Sequence, residues 1–275
     1  MATPSVELSN LSIGYKTKHG LKPIAEGLTA TLQKGCLTCL LGENGVGKST
    51  LLRTLAAFQP SLSGTVLLEG RPLTDYTDRE LARTIGIVLT EKTDVQQMTT
   101  RELVEMGRAP YTGFWGGLDE ADRAACNEAI LMTGISHLAD RHVNTLSDGE
   151  RQKVMIAKAL AQQTPIIYLD EPTAFLDYPS KVEMLLLLRR ISRQAQKTVF
   201  LSTHDLELAL QVADTIWLMS RDNGQEAGTP RKPLEIGTPH ELAANGALRR
   251  FIERSQDITF DATTLTIRVK TASHP

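Results

Sequence analysis

Residues 36–55, "CLTCLLGENGVGKSTLLRTL", run from a short apolar stretch into a glycine-rich turn and then into a helical pattern that extends from Lys48 to about Phe58. A buried strand that feeds a helix through such a turn belongs to an α/β sheet, and this constrains the fold more than any other feature of the chain. Gly42, Glu43, Asn44, Gly45, Val46, Gly47, Lys48 and Ser49 satisfy the pattern G-x-x-x-x-G-K-[ST]. Glycines let successive backbone N–H groups close around phosphate oxygens, and the helix end adds positive potential. The spacing assigns Lys48 to the β- and γ-phosphates of a nucleotide and Ser49 to Mg2+, with Thr50 beside them at the helix start.

A phosphate loop needs an acidic partner at the end of a neighbouring strand. "PIIYLDEP" (165–172) supplies Asp170 and Glu171 after an apolar run. Asp170 suits Mg2+ held through water, and Glu171 suits a base for water attacking a γ-phosphate. "TVFLSTHD" (198–205) ends on the same side of the sheet and places His204 there. A lone histidine at a strand end reads either as structural or as a γ-phosphate contact. Ser147, in "NTLSDGERQK" (144–153), opens a second helix. It reads as a cap of that helix or as a second anion site.

Residues 5–15, 26–40 and 64–70 alternate as strands and predict a small, mainly antiparallel sheet. Short apolar runs at 84–89, 165–172, 198–205 and 215–220 predict a parallel sheet, with helical patterns at 179–196 and 205–214 between them. From Glu91 to about Gln163 the strand pattern gives way to amphipathic helices at 99–110 and 119–135, joined by the glycine-rich 111–118. The expected organisation is a domain over 1–250, with a core of 1–90 and 164–250, a helical subdomain inserted at 91–163, and a C-terminal extension at 251–275. Residues 221–233 read as a polar turn region and 258–270 as one or two edge strands.

These motifs together resemble an ATP-binding-cassette (ABC) ATPase over residues 5–245. The resemblance implies a P-loop NTPase core of ABC type with a parallel sheet, an N-terminal antiparallel β subdomain and the helical insertion. It implies ATP and Mg2+ as ligands. Leu146-Ser147-Asp148-Gly149-Glu150 stands where the family carries a signature close to L-S-G-G-Q. In the family two cassettes pack head to tail, so that Ser147, Gly149 and Glu150 of one copy close over ATP in the phosphate loop of the other. Tyr15 resembles the aromatic that stacks on adenine, and Ala174-Phe175-Leu176-Asp177 resembles the loop at the dimer interface.

The chain departs from the family at Thr90, where a glutamine is usual, and Gln96 or Gln97 is not an assured substitute. Asp148 and Glu150 replace Gly and Gln of the signature, and a carboxylate beside a γ-phosphate must point away, so Asp148 is expected to face its own helix start or the interface rim.

Three kinds of ATPase compete: a transporter subunit, a soluble ATPase acting on nucleic acid or ribosomes, and a small-molecule kinase. The signature excludes the kinase. Lys48 and Ser147 lie only 99 positions apart, which leaves no room for the coiled coil of chromosome-type cassettes, and the single phosphate loop differs from translation-type chains. A formal net charge of −2 provides no basic field for nucleic acid. "MTTRELVEMGRAPYTGFWGGL" (98–118) resembles ATPase subunits of bacterial importers for iron–siderophore complexes, haem and vitamin B12. That resemblance implies transmembrane permease partners, a substrate-binding protein acting indirectly, and a position on the cytoplasmic face of the inner membrane. Tyr111, Phe114 and Trp115 then read as a docking surface or as local core. The soluble ATPase of nucleic acid or ribosomes stays as the alternative.

No apolar run approaches the roughly 18–20 residues that span a bilayer, and "MATPSVELSN" lacks an export signal, which reads as a soluble cytosolic chain. Cys36 and Cys39 spell C-x-x-C on an expected strand, where such residues point to opposite faces, and read as ordinary small side chains.

Overall fold

The apolar run before the glycine loop becomes strand β3 (Leu37–Gly42), and all of its residues are buried. This computed structural model describes residues 4–18, 20–89, 97–113, 116–220, 234–255 and 257–269. Burial on both faces suits the centre of a parallel sheet. Accordingly β3 pairs in parallel with β8 (Thr198–Ser202) on one side and β9 (Thr215–Met219) on the other. β7 (Ile166–Asp170) and β6 (Ile85–Val88) continue the sheet in parallel beyond β8. β10 (Leu234–Gly237) closes the far edge antiparallel to β9, giving the order β10-β9-β3-β8-β7-β6.

A second sheet has the order β2-β1-β4-β5, formed by β1 (Val6–Thr17), β2 (Gly20–Leu32), β4 (Ser63–Leu68) and β5 (Arg71–Pro72). Its pairings are antiparallel. Alternation along β3 decides how the layers meet. Leu40 belongs to the core shared with the antiparallel sheet and helix α1 (Lys48–Leu55), whereas Leu37, Cys39 and Leu41 face the other core. That other core takes in α6 (Tyr178–Gln194), α7 (Leu206–Val212) and the helices that follow β6.

Those helices come after α2 (Asp78–Thr84) and are α3 (Thr100–Glu105), α4 (Glu120–Met132) and α5 (Asp148–Ala161). Each of α2 to α5 starts at a capping box, with Thr77, Thr99, Asp119 and Ser147 as the N-caps. The stop and start points of this region are thus written in local polar residues. Arg108 is the pin that holds it together. Buried at 5% exposure, its Nε donates to Asp122 at 2.8 Å, and its Nη1 donates to the Ala161 carbonyl at 2.7 Å.

α8 (Pro239–Ala244) and α9 (Ala247–Ile252) end the helical elements, and α9 runs across residue 250. Among the described residues, 258–269 do not extend either large sheet: β11 (Ile258–Asp261) and β12 (Thr266–Val269) pair there only with each other. The hairpin is anchored through Phe260, which is buried in the same core as α8 and α9. Helix α1 ends near Leu55, short of the expected Phe58, because Ala57 turns to φ 61. The stretch expected as strand over 26–40 divides at a turn into β2 and β3, and β2 begins earlier, at Gly20.

Cys36 is half-buried before β3 and Cys39 lies in the core, both free thiols. Burial raises the thiol pKa of each. Among the described residues no helix is long and apolar enough to cross a membrane.

Candidate functional site

Gly42 ends β3, and residues 43–47 turn the chain back onto α1. Gly47 precedes the helix at φ 114, and a Cβ there would lie 2.5 Å from Ile24 Cγ2, so both backbone and space demand glycine. Lys48 is 6% exposed, and its Nζ donates to the carbonyls of Gly42 at 2.9 Å and Glu43 at 3.1 Å. Burial draws its pKa below the ordinary value, and the carboxylates of Glu171 and Asp170 oppose that shift. Loop and acids therefore share one electrostatic site.

The parallel register explains why. Asp170, at the end of β7, is the Cα partner of Ser202 on β8. Ser202 Oγ donates to Asp170 Oδ1 at 2.6 Å and accepts from the Glu171 backbone N–H at 3.0 Å. Ser49 Oγ donates to the same carboxylate oxygen at 3.3 Å. Glu171 adopts φ 49, a left-handed conformation that costs a residue with a Cβ about 1 kcal/mol. Its Oε1 lies 2.5 Å from His204 Nε2. The ends of β7 and β8 and the start of α1 thus gather Ser49, Asp170, Glu171 and His204 around the loop.

Tyr15 projects from β1 towards the start of α1, and its hydroxyl lies 3.1 Å from Thr50 Oγ1 with the side chain half exposed. Ser147, Gly149, Glu150 and Asp177 gather separately, around the starts of α5 and α6. Ser147 Oγ accepts from the Glu150 N–H at 3.3 Å, while Glu150 Oε2 accepts from the Ser147 N–H at 2.9 Å. That backbone bond leads the interactions that hold the Glu150 carboxyl below its usual range. Ser147 in the single chain is accordingly a helix cap. A Cβ on Gly149 would come within 3.8 Å of Ser180 Oγ and 3.9 Å of Leu176 Cδ2, so the two helix starts pack together. Asp177 caps α6 by accepting the Ser180 N–H at 3.1 Å, and Phe175 beside it is exposed at φ 65. Asp148 lies along its own helix, 3.5 Å from Arg151.

Tyr111 is not an open docking residue. Its hydroxyl donates to the Gln162 carbonyl at 2.9 Å, and its ring takes the Arg108 and Arg83 guanidinium groups at 4.0 and 4.7 Å. The alternative of local core describes it better. Phe114 and Trp115 lie outside the described residues, as do Thr90 and Gln96, whereas Gln97 is exposed. Sequence reasoning missed Ser202, whose signal was a polar residue placed just before the strand-end "TH". It also missed Asp205, which accepts from Thr173 Oγ1 and from Lys181 Nζ, each at 2.7 Å, and so ties the loop after Glu171 to α6.

The ABC transporter family profile matches residues 25–174, more than half of the chain. The chain belongs to the ABC transporter family. It is an ATP-binding, ATP-hydrolysing cassette. The cassette is 37% identical to the ferric enterobactin transport ATP-binding protein of Escherichia coli (strain K12), over 81% of this chain and 80% of that protein. It is 34% identical to the iron(3+)-hydroxamate import ATP-binding protein of Bacillus subtilis (strain 168), over 86% of each chain. A solved dimeric structure of a bacterial ABC transporter cassette is 27% identical, with a TM-score of 0.67 over 78% of this cassette and 94% of that chain.

Proposed function

We propose that this cassette drives a ferric-chelate importer, hydrolysing ATP at two sites that form when two copies pack head to tail. The observation that carries the reading is the gathering of Lys48, Ser49, Asp170, Glu171 and His204 at one end of the parallel sheet. The iron–siderophore relatives support the cargo class, with haem and cobalamin as the other members of the class read from the sequence. The same relatives are transport subunits and favour the importer over an ATPase of nucleic acid or ribosomes. Partners in this reading are a transmembrane permease and, through it, a substrate-binding protein, which places the cassette on the cytoplasmic face of the inner membrane. The division into a core of 1–90 and 164–250, a helical unit of 91–163 and an extension of 251–275 belongs to the same proposal.

The donor set suits Mg2+, since Ser49 Oγ and Asp170 Oδ1 face each other and, among the described residues, no group of three or more His, Cys, Asp or Glu forms a closed cage. Mg2+ is commonly bound by one or two carboxylates together with substrate phosphates. Ser49 and Asp170 would hold it, and when bound it supplies charge neutralisation at the β- and γ-phosphates. The loop amides and Lys48 orient the triphosphate. Glu171 takes a proton from water attacking the γ-phosphate. His204 Nε2–H, donating to Glu171 Oε1, holds that carboxylate in place. Tyr15 offers its exposed ring to the adenine. Ser147, with the N–H groups near Gly149, exchanges its bonds to Glu150 for the γ-phosphate of the partner's ATP, and Asp177 lies at the seam.

Nucleotide binding to purified protein tests the site directly. Lys48→Ala removes a charge-assisted contact, so ATP should bind about tenfold or more weakly. Undiminished affinity would overturn the reading. Cargo is tested separately, by growth of a deletion strain on single iron or corrinoid sources. Failure on ferric chelates alone is the expected result.

A further inference from the structure

Glu43 puts a carboxylate into the loop that receives a polyphosphate, and like charges at such close range repel. The residue is integral to the loop, since its carbonyl accepts the Lys48 ammonium at 3.1 Å. Its side chain is paired with the guanidinium of Arg254, 211 positions further along the chain. That arginine is not on a loose tail. Its backbone N–H donates to the Ile252 carbonyl at 2.9 Å, and its guanidinium lies 5.1 Å from the Phe251 ring centroid. Ile252 and Phe260 are both buried in the main core, and the Phe260 N–H donates to Glu253 Oε1 at 2.8 Å. A docked element therefore carries a cation to the rim of the phosphate loop.

We infer that Arg254 is a positioning residue of the nucleotide site: it cancels the Glu43 charge and holds that carboxylate aside, so the C-terminal segment sets the affinity for ATP. This rests on the reading of residues 42–50 as the phosphate loop. An exposed ion pair acting only on the fold would contribute little and would be indifferent to nucleotide.

The test is ATP and ADP affinity of the full chain by calorimetry at low and high salt, for the wild type, Arg254→Gln, Arg254→Lys, Arg254→Gln with Glu43→Gln, and Lys48→Ala. Arg254→Gln should weaken ATP binding by about fivefold at low salt, with a smaller loss at high salt where the charges are screened. The loss should be smaller for ADP, which carries less negative charge. Arg254→Lys keeps the cation and should stay near the wild type, which separates lost charge from lost packing. The double variant should recover most of the affinity that Arg254→Gln loses. Wild-type affinity in Arg254→Gln, or an equal loss with and without Glu43, would overturn the inference. If Lys48→Ala loses ATP while Arg254→Gln does not, only the role of Arg254 fails. If Lys48→Ala also binds normally, the phosphate-loop reading fails with it.

Discussion

In the proposed reaction Glu171 is the base, and its neighbours explain how a single carboxylate is held for that role. β7 delivers Asp170 at its C-terminal end, Ser202 takes the next backbone N–H, and the φ of 49 turns Glu171 towards His204. A glutamine fits the same space and bonds to His204 but accepts no proton. Glu171→Gln should retain ATP binding while turnover falls by at least about 100-fold, as expected for loss of a general base. Steady-state hydrolysis at the wild-type rate would remove Glu171 from that role. The loop, Asp170, Glu171 and His204 were legible in the sequence because each sits at the end of an apolar run, where periodicity and motif agree. Ser202 was not, since a serine within a strand shows its bonding only once the register with Asp170 is known.

At the level of elements, legibility followed burial. The core strands β3, β6, β7, β8 and β9 read clearly because both faces are covered and apolar runs result. β10 follows a polar stretch and has a mixed burial pattern, so it carries no comparable run. The first residues of β2 are exposed and lack alternation, which hid the true start of that strand. Of Tyr111, Phe114 and Trp115, read as a docking surface or as local core, only Tyr111 is described: its ring packs against the guanidinium groups of Arg83 and Arg108, and Arg108 is buried on Asp122. The Arg108–Asp122 pair is the test of how α4 is held to α5. Asp122→Ala leaves a buried guanidinium without its carboxylate and should destabilise the protein by about 3 kcal/mol in denaturant unfolding. The bond from Arg108 is the leading reason that the Asp122 carboxyl lies below its usual range. A carboxyl lowered on folding contributes stability above its unfolded pKa, about 4, and that contribution is lost as pH falls through the folded value. Asp122→Asn should therefore flatten the acid end of the stability profile, and an unchanged acid slope would contradict the pairing.

On the scale of the whole molecule, the residues proposed to bind nucleotide lie in two places. The loop and its acids form one; the starts of α5 and α6, with exposed Phe175 and Tyr178, form the other. In the single chain the second group is closed on itself through the capping box of Ser147 and Glu150. The bonding of that box is a product of side-chain geometry, and no spacing rule distinguishes a helix cap from a cap that also serves a neighbour's phosphate. In the proposed dimer a second copy gives the exposed surface its occupant, and ATP favours the closed pair only if it binds that state more tightly than the open one. Sedimentation velocity of the Glu171→Gln protein, with and without saturating ATP, tests this most directly. A dimer with ATP and a monomer without it are expected, with the dimer abolished by adding Ser147→Arg; a species that stays monomeric while fully loaded with ATP would overturn the shared site.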